Sequence, residues 1–294
     1  MRYSFTADHF QYLASLGPIA LACGAAARAG KNWRAPIRSL AAAALLALLG
    51  GLTWRQAKIY KDEETLWADT LAKNPKAWVA HYNTGIALAA RGRLDEAIGH
   101  YREAARLRPE DGDIRNNLAL ALMRRGALDE AAAEFRASLR IKPYAVVHSN
   151  LATLLSQRGE TPQALRHFEQ AVRMEPKSPE YRNRLAAALA AQGRPEAALA
   201  HYARALELKP DYGEARYNRA LALLALGRAA QAMEELILTI RLRPDLAEPY
   251  LLLGELLERS GQRQAAARVY SEAPRVMPQL DAARRRLQGL SGRQ

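Results

Sequence analysis

Seven prolines fall at an almost constant interval along this chain: Pro75, Pro109, Pro143, Pro176, Pro210, Pro244 and Pro278, in steps of 34, 34, 33, 34, 34 and 34 residues. A fixed period of that length means one supersecondary unit copied in tandem, which restricts the fold to a stack of repeats. Other landmarks keep the same step. A glycine recurs at Gly92, Gly126, Gly159, Gly193, Gly227 and Gly261, and five residues later comes a small residue, Ala97, Ala131, Ala164, Ala198, Ala232 or Ala266. Four further on is a bulky residue, Tyr101, Phe135, Phe168, Tyr202, Leu236 or Tyr270. Three beyond that is another small one, Ala104, Ser138, Ala171, Ala205, Thr239 or Ala273.

Offsets of three and four residues place side chains on one helical stripe, so each unit reads as two antiparallel helices, A and B. In helix A the small residues Gly85, Ala119, Ala152, Ala186, Ala220 and Gly254 are each followed three on by a leucine, from Leu88 to Leu257. Glycine supplies the turn between the helices, and proline closes the unit because it cannot continue helix B. This pattern resembles the tetratricopeptide repeat (TPR). It predicts an all-α chain with a right-handed α-solenoid of six full repeats at 78–111, 112–144, 145–178, 179–212, 213–246 and 247–280. A leading half-repeat with Trp67 at the bulky position lies in 55–77, and a basic cap in 281–294.

The first 54 residues differ in kind. Charges vanish from 10–27 and nearly vanish from 37–54, and between them Arg28, Lys31, Arg34 and Arg38 form a basic loop without an acid. Two apolar runs of that length predict an N-terminal transmembrane helical hairpin holding the chain to membrane lipid, with Arg38 snorkelling. A secretory signal fits poorly, since the leading Arg2 is soon followed by Asp8, and Ala20 and Leu21 do not suit a lipoprotein site at Cys23. The basic loop predicts an integral protein of a bacterial inner membrane with its repeats on the non-cytoplasmic side.

The stretch SFTADHFQYLASLGPIAL, two apolar runs, and YKDEETLWADTLAKNPKAWVAHYNTG leading into repeats together resemble the carboxy-terminal part of TPR-bearing membrane mannosyltransferases (the TMTC-like proteins and their bacterial relatives). The resemblance implies an acceptor-binding end of a lipid-linked-sugar glycosyltransferase. The acidic catalytic residues of that family lie in an early loop with no counterpart here, so this chain alone is expected to hold no catalytic residue, metal or cofactor.

The remaining motifs are weaker. The net charge of +13 is spread along helix surfaces apart from Arg284-Arg285-Arg286, which argues against nucleic-acid binding, and the single Cys23 excludes an internal disulfide. Asp111-Gly112-Asp113 has the spacing of a metal-binding D-x-D but falls in an inter-repeat turn, where such residues are expected. His100, His167 and His201 share one repeat position in separate units, which argues against a metal held between them. Asn83, Asn117, Asn150 and Asn218 recur two places before the small residue of helix A, on the inner face of such a stack. Amides both donate and accept, so this series can hold the backbone of an extended peptide, as the similar asparagine ladder of protein O-GlcNAc transferase does. Neighbouring Tyr82, Asn116 and Tyr217 would add specificity. The series is broken by Arg184 and Leu252. The expected partner is a protein or extended peptide bound in the groove.

Overall fold

The computed structural model describes residues 28, 35–59 and 63–276. The chain divides into two compact units between Lys73 and Asn74. In the first, α1 (Ala35–Ile59) is followed by α2 (Glu63–Lys73).

The run expected to span a membrane at 37–54 lies in α1, and the expectation is corrected there. Among the described residues no helix is long and apolar enough to cross a membrane. Arg38 and Arg55 bracket only sixteen uncharged residues, interrupted by Ser39, Gly50, Gly51 and Thr53, against about 20 for a span. With that span goes the inner-membrane location predicted from it. The other expected span, 10–27, and the cap at 281–294 lie outside the described residues.

The second unit alternates A and B helices: α3 (Trp78–Ala90) and α4 (Leu94–Leu107), α5 (Gly112–Arg125) and α6 (Leu128–Ile141), α7 (Ala145–Gln157) and α8 (Thr161–Met174). The pattern continues with α9 (Pro179–Ala191) and α10 (Pro195–Leu208), α11 (Gly213–Ala225) and α12 (Ala229–Leu242), α13 (Glu248–Arg259) and α14 (Arg263–Val276). Each helix packs on the next, and successive A helices also touch one another. The A helices therefore line the inner side of the stack.

Each A-to-B turn is built the same way. All six turn glycines have φ between 72° and 88°, the left-handed region that costs an L side chain energy. The residue after each glycine donates its N–H to the carbonyl of the recurring leucine, as in Ala127 to Leu122 (2.9 Å) and Arg194 to Leu189 (3.0 Å). That six-to-one bond is the Schellman cap, and it satisfies a carbonyl the helix end would orphan.

The small–bulky–small triplet of helix B fills the space against helix A. Ala97, Tyr101 and Ala104, like Ala131, Phe135 and Ser138, are buried. At Gly85 an added Cβ would come within 2.7 Å of the Tyr101 ring, so that close approach needs the missing side chain.

The prolines have a second role beyond ending helix B. The side chain six residues after the proline bonds its carbonyl in five repeats: His81 to Pro75 (3.0 Å), Arg115 to Pro109 (3.4 Å), Arg182 to Pro176 (2.9 Å), Arg216 to Pro210 (3.0 Å) and Tyr250 to Pro244 (3.5 Å). In the third repeat the 33-residue step puts His148 only five after Pro143, and that histidine pairs with His167 instead.

Candidate peptide-binding face

The asparagines predicted as a clamp are already linked to one another's neighbours. Asn117 donates Nδ2–H to Tyr82 Oη (2.7 Å), and Asn150 donates to Asn116 Oδ1 (3.1 Å). Asn218 donates to Asn183 Oδ1 (3.1 Å). Every donor sits on the A helix one repeat after its acceptor, 34 or 35 residues on. Arg184, which interrupts the asparagine series, keeps the ladder by reaching back to buried Ser149 Oγ (2.9 Å). At the last step the ladder turns apolar, with Leu252 and Tyr217 packed on one hydrophobic cluster. Asn83 begins the row and bonds its own helix at Val79 O (2.8 Å).

Asn183 is the hub. It is buried, accepts from Asn218, and donates to Glu214 Oε1 (3.0 Å) and Tyr212 Oη (3.4 Å). The acceptors Ser149 and Asn183 were not singled out from sequence. Their signal was present one place before the asparagine series, where Tyr82, Asn116, Ser149, Asn183 and Tyr217 all carry a hydrogen-bonding group.

The pairing leaves part of each amide free. An asparagine offers two donors and a carbonyl acceptor. Asn117, Asn150 and Asn218 each use one N–H in these bonds, so the carbonyl Oδ1 and the second N–H remain for another partner. Tyr82 and Tyr217 border this row, and burial raises the pKa of both phenols above the ordinary value, keeping them neutral donors.

The apolar surface gathers on the same stripe. The exposed large apolar side chains of the described A helices are Val79, Ile86, Val146 and Leu221. Val79 and Ile86 lie four before and three after Asn83, Val146 four before Asn150, and Leu221 three after Asn218. Those offsets put each of them beside a ladder residue. At the starts of the A helices Asp113, Glu180, Glu214 and Glu248 are exposed and acidic, where they complement the helix dipole.

The D-x-D spacing is accounted for locally. Asp111 caps α5 by accepting from the backbone N–H of Asp113 (3.0 Å) and Ile114 (3.3 Å). Among the described residues, no three metal-binding side chains converge on one point.

A tetratricopeptide repeat model matches residues 63–111, 95–146 and 149–213, and a second matches 189–245. The chain belongs to the tetratricopeptide repeat family. Solved TPR-like structures agree in fold. A chain of the APC/C hetero-tetramer Cut9-Hcn1 superposes with a TM-score of 0.63 at 16% identity, covering 78% of this chain and 46% of that one. PilF of Pseudomonas aeruginosa gives 0.61 at 19% identity over 75% of this chain and 99% of its own. YrrB, described as a TPR protein with an unusual peptide-binding site, gives 0.50 at 22% identity over 61% and 93%. This chain thus spans less than half of the first structure. No curated protein matches it. The resemblance to membrane mannosyltransferases is not shown by these comparisons, and neither they nor the structure support a glycosyltransferase role.

Proposed function

We propose that the A-helix face of this TPR array binds an extended segment of a protein partner. The observation that carries this reading is the coincidence of two features on one stripe: the half-used amides of Asn83, Asn117, Asn150 and Asn218, and the exposed Val79, Ile86, Val146 and Leu221 beside them. An extended backbone has alternating N–H and C=O groups that amide side chains can meet without regard to sequence. Apolar side chains between them supply binding energy and select for apolar residues in the ligand. The peptide-binding site described for YrrB supports the reading by analogy of fold. Tyr82, Asn116 and Tyr217 would set the local specificity.

The test is a peptide selected from a random library against the array. Replacing all four asparagines by Ala should weaken its binding at least tenfold, with the helical circular dichroism signal preserved. Equal affinity in the variant would remove the ladder from the binding site.

A further inference from the structure

We infer that His81 and His100 form a binding site for a divalent transition metal that prefers square or octahedral nitrogen coordination, Cu2+ or Ni2+. His81 on α3 and His100 on α4 meet across the first repeat with their Nδ1 atoms 3.0 Å apart. Pro75 O can only accept, so His81 Nε2, 3.0 Å from it, carries the proton. His81 Nδ1 is then a lone pair, and His100 must donate its Nδ1–H to it, which leaves His100 Nε2 bare. Metal binding needs only a tautomer change: the proton of His100 moves from Nδ1 to Nε2 through solvent, and both Nδ1 lone pairs become available with no net proton released. The rings then turn about their broad Cβ–Cγ torsions to aim both lone pairs off the line joining the nitrogens.

The nitrogen spacing selects among metals. With metal–nitrogen bonds of about 2.0–2.1 Å, two ligands at a right angle stand about 2.9 Å apart and two tetrahedral ligands about 3.4 Å apart. The observed 3.0 Å fits the right angle, the geometry of Cu2+ and Ni2+ sites, better than that of Zn2+. The bond to Pro75 O is the outer contact that metal-binding imidazoles use to hold their ring orientation. Glu96 and Glu103 line the same open cleft, one turn to either side of His100. Their partners Arg93 and Arg106 hold them in exposed ion pairs, which are weak enough to exchange for a metal.

Repeat three supplies an internal control. His148 and His167 also meet, with Nδ1 atoms 2.9 Å apart. There the proline carbonyl contact is missing, and Gln163 and Gln170 stand where repeat one has Glu96 and Glu103. That pair has neither the orienting contact nor the negative charge.

Titration of the untagged full-length chain with NiCl2 or CuCl2 by calorimetry tests the site. We expect one principal equivalent per chain, weakened at least tenfold by His100→Gln and by His81→Asn, severalfold by Glu103→Gln, and unchanged by His148→Gln. Thermal melts confirm that each variant is folded, and the two histidine variants substitute for each other if one is not. No binding by the wild type, loss on His148→Gln, undiminished binding in both folded histidine variants, or Zn2+ binding tighter than Ni2+ would overturn the proposal.

Discussion

Asn150 shows how one side chain can serve stack and ligand together. Its Nδ2–H holds Asn116 of the preceding repeat at 3.1 Å, while its Oδ1 stays available on the inner face. Removing it costs one partly solvated hydrogen bond, so Asn150→Ala should lower stability by about 0.5–1.5 kcal/mol in urea unfolding. A loss of several kcal/mol would mean the amide is a core element. Phe135 gives the contrasting case, because it is fully buried between small neighbours. Phe135→Ala should cost about 3–5 kcal/mol by the same measurement. Phe135 was legible from sequence because the same size class recurs at every period. The partners of the ladder were not, because each acceptor is a different residue type and lies a whole repeat away from its donor. The Asn117-to-Tyr82 bond exists only because stacking brings positions 35 apart into contact.

Helices begin and end here by local rules, which is why the element pattern can be read from the residues alone. Gly126 adopts φ 88° and is followed by the cap bond from Ala127 to Leu122. Gly126→Ala should destabilise by about 1–2 kcal/mol through the left-handed backbone alone, since nothing stands near the added Cβ. An unchanged unfolding midpoint would contradict that cost. The A–B pairing also carries a pH dependence. Burial holds His148 and His167 below the ordinary histidine value, and for His167 the positive charges of His148, Arg136 and Arg166 add to it. With a depressed folded value, the unfolded chain binds more protons as the medium becomes acidic. The stability is therefore complete above about pH 6.5 and declines as pH falls through the folded values. The melting temperature should fall from pH 7 to pH 5, and His148→Gln with His167→Gln should shallow that slope; an equal slope would exclude the pair. The pairing of these rings was missed in sequence because only the helix B partners, His100, His167 and His201, shared a residue type. The helix A partners alternate between His, Arg and Tyr. At α1 the apolar composition outweighed the charges at Arg38 and Arg55, and the span predicted from it did not hold.

The second unit is a one-dimensional stack, in which each repeat is stabilised chiefly by its neighbours. The 34-residue period makes that architecture legible in the sequence itself, since no globular core places identical residues at such intervals. Function was legible only in outline. The period marks which face the asparagines share, but not how many of their hydrogen bonds the stack itself consumes. The central claim is that the partner lies along the A-helix face. A photoreactive p-benzoylphenylalanine placed at Leu221, beside Asn218 and exposed on that face, tests it against the same residue at Glu169 on helix α8. With the library-selected peptide bound, irradiation should crosslink it from position 221 and not from 169. Crosslinking from 169 alone would put the partner on the B helices and contradict the account.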